Sequence, residues 1–195
     1  IVKQQAILCV GIDYLIIRDV FLTVDQISNE TILFCMGGGQ YPDYVNEFII
    51  EVIKNNKNHE FNVVTTSTKI IKELYNESHC TLYSNPSNIE TIFASCSLAF
   101  VAGGVTTYEL VYLNKPLVVL PFANNQINNA REVAKLNWGK CFLDFNECKK
   151  YLVELGFDGL KDECRLILNK SSHEIDGLGV DRIVKQIRES FLLIK

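Results

Sequence analysis

Short apolar runs of strand length alternate with segments of helical spacing through most of this chain, and that alternation narrows its possible folds more than any other feature. The runs occupy 31–36, 61–66, 81–84, 98–102, 117–122 and 140–145. They are rich in Val, Ile, Leu and Phe and scarcely alternate with polar residues, as expected of strands covered on both faces. Between them, Val45, Phe48, Ile49, Val52 and Ile53 recur at helical intervals and form one apolar stripe. Ile127, Ala130 and Ala134 form a weaker one. Pro42, Pro86 and the Asn124–Asn125 pair stand where first-turn or cap residues belong. The sequence therefore predicts an α/β fold, a Rossmann-like doubly wound parallel sheet of about six strands followed by C-terminal helices. Residues 1–22 read as a lead-in, with a short strand at 6–10 and an extended run at 14–17. Residues 23–170 read as the sheet domain. Residues 171–195 read as a terminal helix whose stripe of Val180, Ile183, Val184, Ile187 and Phe191 can cover the sheet or a neighbouring domain.

Composition excludes several classes of function. With 195 residues, 48% of them apolar, the chain can bury a substantial core. Nineteen basic against 23 acidic residues leave a net charge of −4. That balance argues against a dedicated nucleic-acid binder, whose affinity comes from cations on phosphates, but not against one small anion held by backbone N–H groups. No apolar run reaches the ~20 residues of a membrane span, and no signal-peptide pattern opens the chain. The cysteines at 9, 35, 80, 96, 141, 148 and 164 include no C-x-x-C pair and read as free, mostly buried thiols of a cytoplasmic protein. The chain opens at Ile1 and its only methionine is Met36, so it is expected to be a piece of something longer.

In an open parallel sheet, ligands bind in the crevice outside the carboxyl ends of the strands, so the residues that follow each strand are the candidates. Gly37, Gly38 and Gly39 follow the first run and let backbone amides approach a ligand, with a helix start expected just beyond. Gly103, Gly104, Val105, Thr106 and Thr107 follow the fourth run at a helix start near Val105, and can seat a pyrophosphate. Glu109 falls about one turn into that helix, where a carboxylate can accept hydrogen bonds from a vicinal diol such as a ribose. Asn124, Asn125 and Gln126 open the next loop with uncharged amides suited to hydroxyl- and acetamide-bearing ligands. The loop of Ser84, Asn85, Pro86, Ser87 and Asn88 offers backbone groups for a base edge. Each feature alone also fits a plain connection: a tight glycine turn, a helix-dipole acid, a capped helix start.

The missing chemistry is equally informative. The three histidines, His59, His79 and His173, fall outside the expected crevice, and no cluster has metal-ligand spacing. Neither a P-loop, nor a G-x-G-x-x-G dinucleotide fingerprint, nor a nucleophile elbow is present. The chain is thus expected to hold a ligand without a catalytic residue of its own, and without metal or cofactor. A non-catalytic nucleotide-sugar-binding or protein-interaction module of a larger assembly is the alternative. Such an interaction module would expose an apolar patch in place of glycine turns.

Three stretches carry a family resemblance: Cys35-Met-Gly-Gly-Gly-Gln, the segment 87–110 with its Ala102-Gly-Gly-Val-Thr-Thr-Tyr-Glu core, and the segment 113–126 ending Leu-Pro-Phe-Ala-Asn-Asn-Gln. They resemble the C-terminal half of GT-B fold proteins. The likeness is nearest to the UDP-sugar hydrolases of pseudaminic acid biosynthesis and to spore-coat polysaccharide biosynthesis proteins. The lipid-II-forming N-acetylglucosaminyltransferases stand as more distant cousins. Tyr14-Leu-Ile-Ile-Arg-Asp-Val-Phe is similar to the interdomain segment of the hydrolases, from which Asp19 and Val20 depart, and 175–184 is similar to the motif before their last helix. The resemblance implies UDP or a UDP-sugar as ligand and a hydrolase or glycosyltransferase as the whole protein. It implies ribose on Glu109, pyrophosphate on Gly103, Gly104, Val105 and Thr106, and uracil near Ser84 and Asn85. Gly37, Gly38, Gly39, Asn124, Asn125 and Gln126 would lie toward the sugar and the interdomain cleft. The family's catalytic histidine would belong to an N-terminal domain that this chain does not contain.

Overall fold

The computed structural model describes residues 7–25, 27, 29–172 and 174–192, the last two of these without their side chains. Ala6, His173 and the Phe191 side chain, named above, lie outside them. Six strands, β1 (Thr31–Cys35), β2 (Phe61–Val64), β3 (Cys80–Tyr83), β4 (Cys96–Val101), β5 (Leu117–Val119) and β6 (Lys140–Cys141), form one sheet in the order β3-β2-β1-β4-β5-β6. Every pairing is parallel. The described residues also form eight α-helices: α1 (Asp19–Leu22), α2 (Asp43–Lys54), α3 (Thr68–Leu74), α4 (Ile89–Ser95), α5 (Val105–Tyr112), α6 (Asn124–Lys135), α7 (Phe145–Leu168) and α8 (Gly179–Leu192). The doubly wound α/β expectation is the observed fold.

Two cores result, one per sheet face. The stripe of Val45, Phe48, Ile49, Val52 and Ile53 is buried and joins side chains of α3 and α7 on one face. Residues of α4, α5 and α6 cover the other, together with Ile17 and Phe21 from the lead-in. Phe34 on β1 and Phe100 on β4 are register partners whose rings stack at 4.6 Å, so the central strand pair is locked by an aromatic contact across it.

Several boundaries differ from the sequence reading. β5 ends at Val119 and β6 has two residues, because Phe145, expected as strand, begins α7 behind an Asp144 cap whose carboxylate accepts the Asn146 N–H. Gly156, at φ 71°, breaks α7 in two. On α6 the buried positions are Ala130 and Val133, while Ala134 is exposed. Residues 7–10 form no strand: Ile7, Leu8 and Val10 are exposed and pair with no backbone among the described residues, without which an apolar run cannot become a strand. The lead-in instead packs its 3-10 turn (Ile12–Tyr14) against α8. Here Gly179 is so close to the Leu15 carbonyl that an added Cβ would overlap it.

Candidate nucleotide site at the strand reversal

Strand order reverses between β1 and β4. From β1 the chain winds outward through β2 to β3, then crosses back to β4 and winds the other way. The connections leaving β1 and β4 therefore run to opposite faces and open a crevice between them. In the observed register Cys35 lies opposite Val101, so Gly37 and Gly103 leave neighbouring strands two residues beyond the same rung, where strands lie about 5 Å apart. The two glycine turns predicted from sequence share one rim.

Local contacts tie this rim together. Tyr41 is buried and donates its hydroxyl to the Gly37 carbonyl at 2.7 Å. Thr66, after β2, donates to the Gly39 carbonyl at 3.4 Å. Asn129 on α6 donates to the Gly103 carbonyl at 3.0 Å. Gly103 has φ 92°, and an added Cβ there would lie 3.1 Å from the Gln126 carbonyl, so both backbone shape and space call for glycine. The thiol of Cys35 senses Gly37 from one turn and Thr106, Glu109 and Arg18 from the other side. Burial pushes its pKa up to about 11, and the Gly37 N–H and Thr106 hydroxyl only partly offset this. That thiol is protonated at neutral pH and serves as packing.

Helix α5 starts at Val105 as expected, and Gly104 and Val105 are exposed at its N-terminus. Its first-turn N–H groups and dipole favour an anion there. Thr106 is half-buried on the same turn. Thr107, grouped with it as a donor in the sequence reading, is buried, and its hydroxyl finds no hydrogen-bond partner among the described residues. The Gly37–Gly39 turn departs from expectation in one respect. Helix α2 begins only at Asp43, behind Pro42, so this turn has no helix dipole directly after it. Tyr41, whose ring is buried against Phe122, holds the chain back over those residues.

Glu109 lies one turn into α5 and is 1% exposed. Its carboxylate is held by a residue to which the sequence reading assigned no role. Arg18 donates from Nε to Oε1 at 2.6 Å and from Nη2 to Oε2 at 2.9 Å. This two-pronged pair raises the Arg18 pKa above its ordinary value. The guanidinium also lies 4.9 Å over the Phe21 ring, and Phe21 and Ile17 anchor its backbone in the core. A separation of 91 residues leaves no local signal for such a pair. The pointer in the sequence was its place in the Tyr14–Phe21 segment that shares in the family resemblance.

The remaining candidates are placed as follows. Asn124 and Asn125 are exposed in the first turn of α6. Gln126 is half-buried, and its side-chain oxygen accepts the Phe122 and Ala123 N–H groups at 3.0 Å each, so it serves the helix start. Ser84 and Asn85 are exposed after β3, at the sheet edge, with Asn85 at φ 50°. His79 is buried with a ring nitrogen 3.0 Å from the Ile53 carbonyl, a structural contact away from the rim.

A cavity of about 530 Å³ lies at the opposite rim, where the strands begin, and is lined in part by Lys115, Lys161 and Arg165. Lys115 is committed to structure. Its ammonium binds the Ala94 carbonyl at the end of α4 and the Ile27 carbonyl, and burial lowers its pKa.

The sequence pattern of the glycosyltransferase family 28 C-terminal domain matches residues 32–187. A bifunctional pseudaminic acid cytidylyltransferase and UDP-2,4-diacetamido-2,4,6-trideoxy-beta-L-altropyranose hydrolase of Helicobacter pylori is 28% identical over 56% of this chain and 20% of its own length. A UDP-N-acetylglucosamine–N-acetylmuramyl-(pentapeptide) pyrophosphoryl-undecaprenol N-acetylglucosamine transferase of Thermosipho melanesiensis is 31% identical over 57% of this chain and 34% of its own length. Hydrolase and transferase are thus equally close, which corrects the ranking drawn from the motifs. The matched segment spans 20% of the first relative's length and 34% of the second's. Among solved structures, a UDP-GlcNAc 2-epimerase of Neisseria meningitidis bound to UDP-GlcNAc shares the fold at a TM-score of 0.56, with 14% identity over 85% of this chain and 45% of that one.

Proposed function

The chain belongs to the glycosyltransferase family 28 C-terminal domain family, and from that premise we propose that it is the UDP-binding half of a nucleotide-sugar hydrolase or glycosyltransferase of bacterial surface-glycan synthesis. One observation carries the reading: two glycine turns leave adjacent strands in register at the point where the strand order reverses. The diphosphate would lie on the Gly103–Gly104 turn and the N–H groups of Val105 and Thr106. The ribose diol would go to Glu109, which requires the Arg18 guanidinium to yield. Uracil would be read by backbone near Ser84 and Asn85. Gly37, Gly38, Gly39, Asn124, Asn125 and the amide nitrogen of Gln126 would face the sugar.

The acceptor, water or a hydroxyl, would be activated by a histidine of a preceding domain. The exposed apolar residues of the lead-in and α8, among them Leu8, Val10, Ile16, Val184 and Ile187, would seat that domain. The same residues favour the second reading, a non-catalytic module held in an assembly. A nucleotide sugar and seven free thiols both fit the reducing cytosol.

Calorimetry with UDP, CMP and NAD tests the nucleotide. UDP is expected to give the larger heat, with weak affinity, since half a cleft cannot enclose its ligand. Equal heats for the three, or none, would refute the reading. Release of UDP from a UDP-sugar by the whole protein, with and without a hydroxyl acceptor, separates hydrolase from transferase.

A further inference from the structure

The cavity at the opposite rim has a charge balance contrary to that of the whole chain. Three cations, Lys115, Lys161 and Arg165, line it against one carboxylate, Glu30, in a chain whose net charge is −4. Glu30 is engaged with Lys161, which it meets at 2.9 Å, and Asp158 meets the same ammonium at 3.1 Å. Lys115 and Arg165 have no carboxylate partner among the described residues. Lys115 donates to the Ala94 and Ile27 carbonyls, which hold the ammonium in place without cancelling its charge. One of its three N–H groups is left over, and the Arg165 guanidinium has no partner at all among the described residues. Burial lowers the Lys115 pKa, and the nearby charge of Arg165 lowers it further. Helix dipoles account for only part of this arrangement. Lys115 rests on a last-turn carbonyl of α4 and Arg165 stands in the last turn of α7, but a helix end carries only about half a charge. Lys161 and Arg165 are also four residues apart on α7, a like-charge spacing that costs a helix stability. Positive charge is thus left over where buried Leu113 and Cys96 line the same cavity and water screens it less.

We propose that this cavity is a second ligand site, which takes a small phosphate ester with its phosphate between Lys115, Arg165 and the Asn114 side chain. Arg165 offers the planar fork that matches two phosphate oxygens, and Lys115 supplies a point charge. Asn114 and Asn29 add uncharged donors, since their side-chain amides have no partner among the described residues. Asn114 is fixed at φ 55° in the turn that joins α5 to β5. The volume of about 530 Å³ is that of a small-molecule site and leaves room for the body of the ester beside its phosphate. The site is separate from the nucleotide rim. Strand β4 begins with Cys96 at this cavity and ends two residues before Gly103, which places the two roughly 20 Å apart at about 3.3 Å per residue. Its occupancy is therefore independent of whether UDP binds the glycine turns.

Amide-resolved NMR of the 195-residue chain with inorganic phosphate tests the site, at an ionic strength held constant with sodium chloride. Phosphate is expected to move the amides of 96–98, 113–115 and 161–166 along saturating curves, and chloride alone is not. Glucose 1-phosphate should move the same amides and bind at least as tightly as the free ion. Arg165 is exposed and unpartnered, so Arg165→Gln spares the fold. It should weaken both ligands at these amides about tenfold, the scale of one charge-assisted contact, and leave any response at 37–40 and 103–107 unchanged. Asn114→Gly keeps the left-handed turn and should weaken them about threefold, as one neutral hydrogen bond is lost. The proposal is overturned if chloride reproduces the shifts, or if phosphate moves only 37–40 and 103–107. Failure of glucose 1-phosphate to reach the cavity, or equal affinity in Arg165→Gln and the unmodified chain, overturns it too.

Discussion

Glu109 shows how one side chain's chemistry depends on what covers it. A carboxylate in the interior is tolerated only when paired and hydrogen-bonded, and here an arginine satisfies both oxygens from a segment far away in the chain. On the nucleotide reading, Glu109→Ala removes the diol acceptor, and UDP affinity should fall by about 1–3 kcal/mol, the range for hydrogen bonds to a charged group. The informative control is 2′-deoxy-UDP: the unmodified chain should prefer UDP to it, and the variant should bind the two alike. A preference that survives in Glu109→Ala would move the ribose elsewhere. Cys35, by contrast, touches the same neighbourhood without offering chemistry, since burial holds its pKa at about 11.

At the scale of elements, the lead-in and α8 form a unit beside the sheet domain. Ile175 is buried, and Gly177, at φ 76°, packs against Leu22 and Tyr112. Asp176 then clasps Arg182 through two contacts at 2.8 and 2.5 Å and accepts the Leu178 N–H, while Arg182 reaches the Asp13 carbonyl. These bonds hold the Asp176 pKa down to about 2, the Arg182 contact contributing most. Its unfolded value is near 3.9. A depressed carboxylate pKa stabilises the folded form fully above the unfolded value, and that contribution fades as pH falls toward the folded one. Protection of α8 amides should therefore hold down to about pH 4 and decline between pH 4 and 2. In Asp176→Asn that step should be missing, with α8 more labile at neutral pH. An unchanged acid profile in the variant would show that other contacts anchor the helix.

For the molecule as a whole, stability and site share one origin, the β1–β4 seam. Phe34 and Phe100 stack across it, and Phe34 also meets Phe48 and Phe61. Phe34→Ala should cost about 3–5 kcal/mol of unfolding free energy, measured in urea, as a large buried ring is replaced by a cavity. The same variant should weaken UDP binding, because the seam sets the register in which Gly37 and Gly103 emerge.

Much of this arrangement was legible in the residues. Buried parallel strands need continuous apolar runs and amphipathic helices need a periodic stripe, so strand count, fold class and the glycine turns could be read locally. Boundaries near Phe122 and Phe145 could not, because an aromatic side chain is equally apolar at a strand end and in a helix's first turn. The lead-in strand failed for a related reason, since apolar character does not supply a partner backbone.

What the sequence by itself determined is the set of parts: strands, helix starts, glycines at the turns and an acid one turn into α5. Each of these depends on neighbours within a few positions, where bonding and sterics act directly. Only the tertiary structure decided that strand order reverses between β1 and β4, that Gly37 and Gly103 leave in register, and that Arg18 lies over Glu109. Those facts join residues dozens of positions apart, and packing of the whole core selects them.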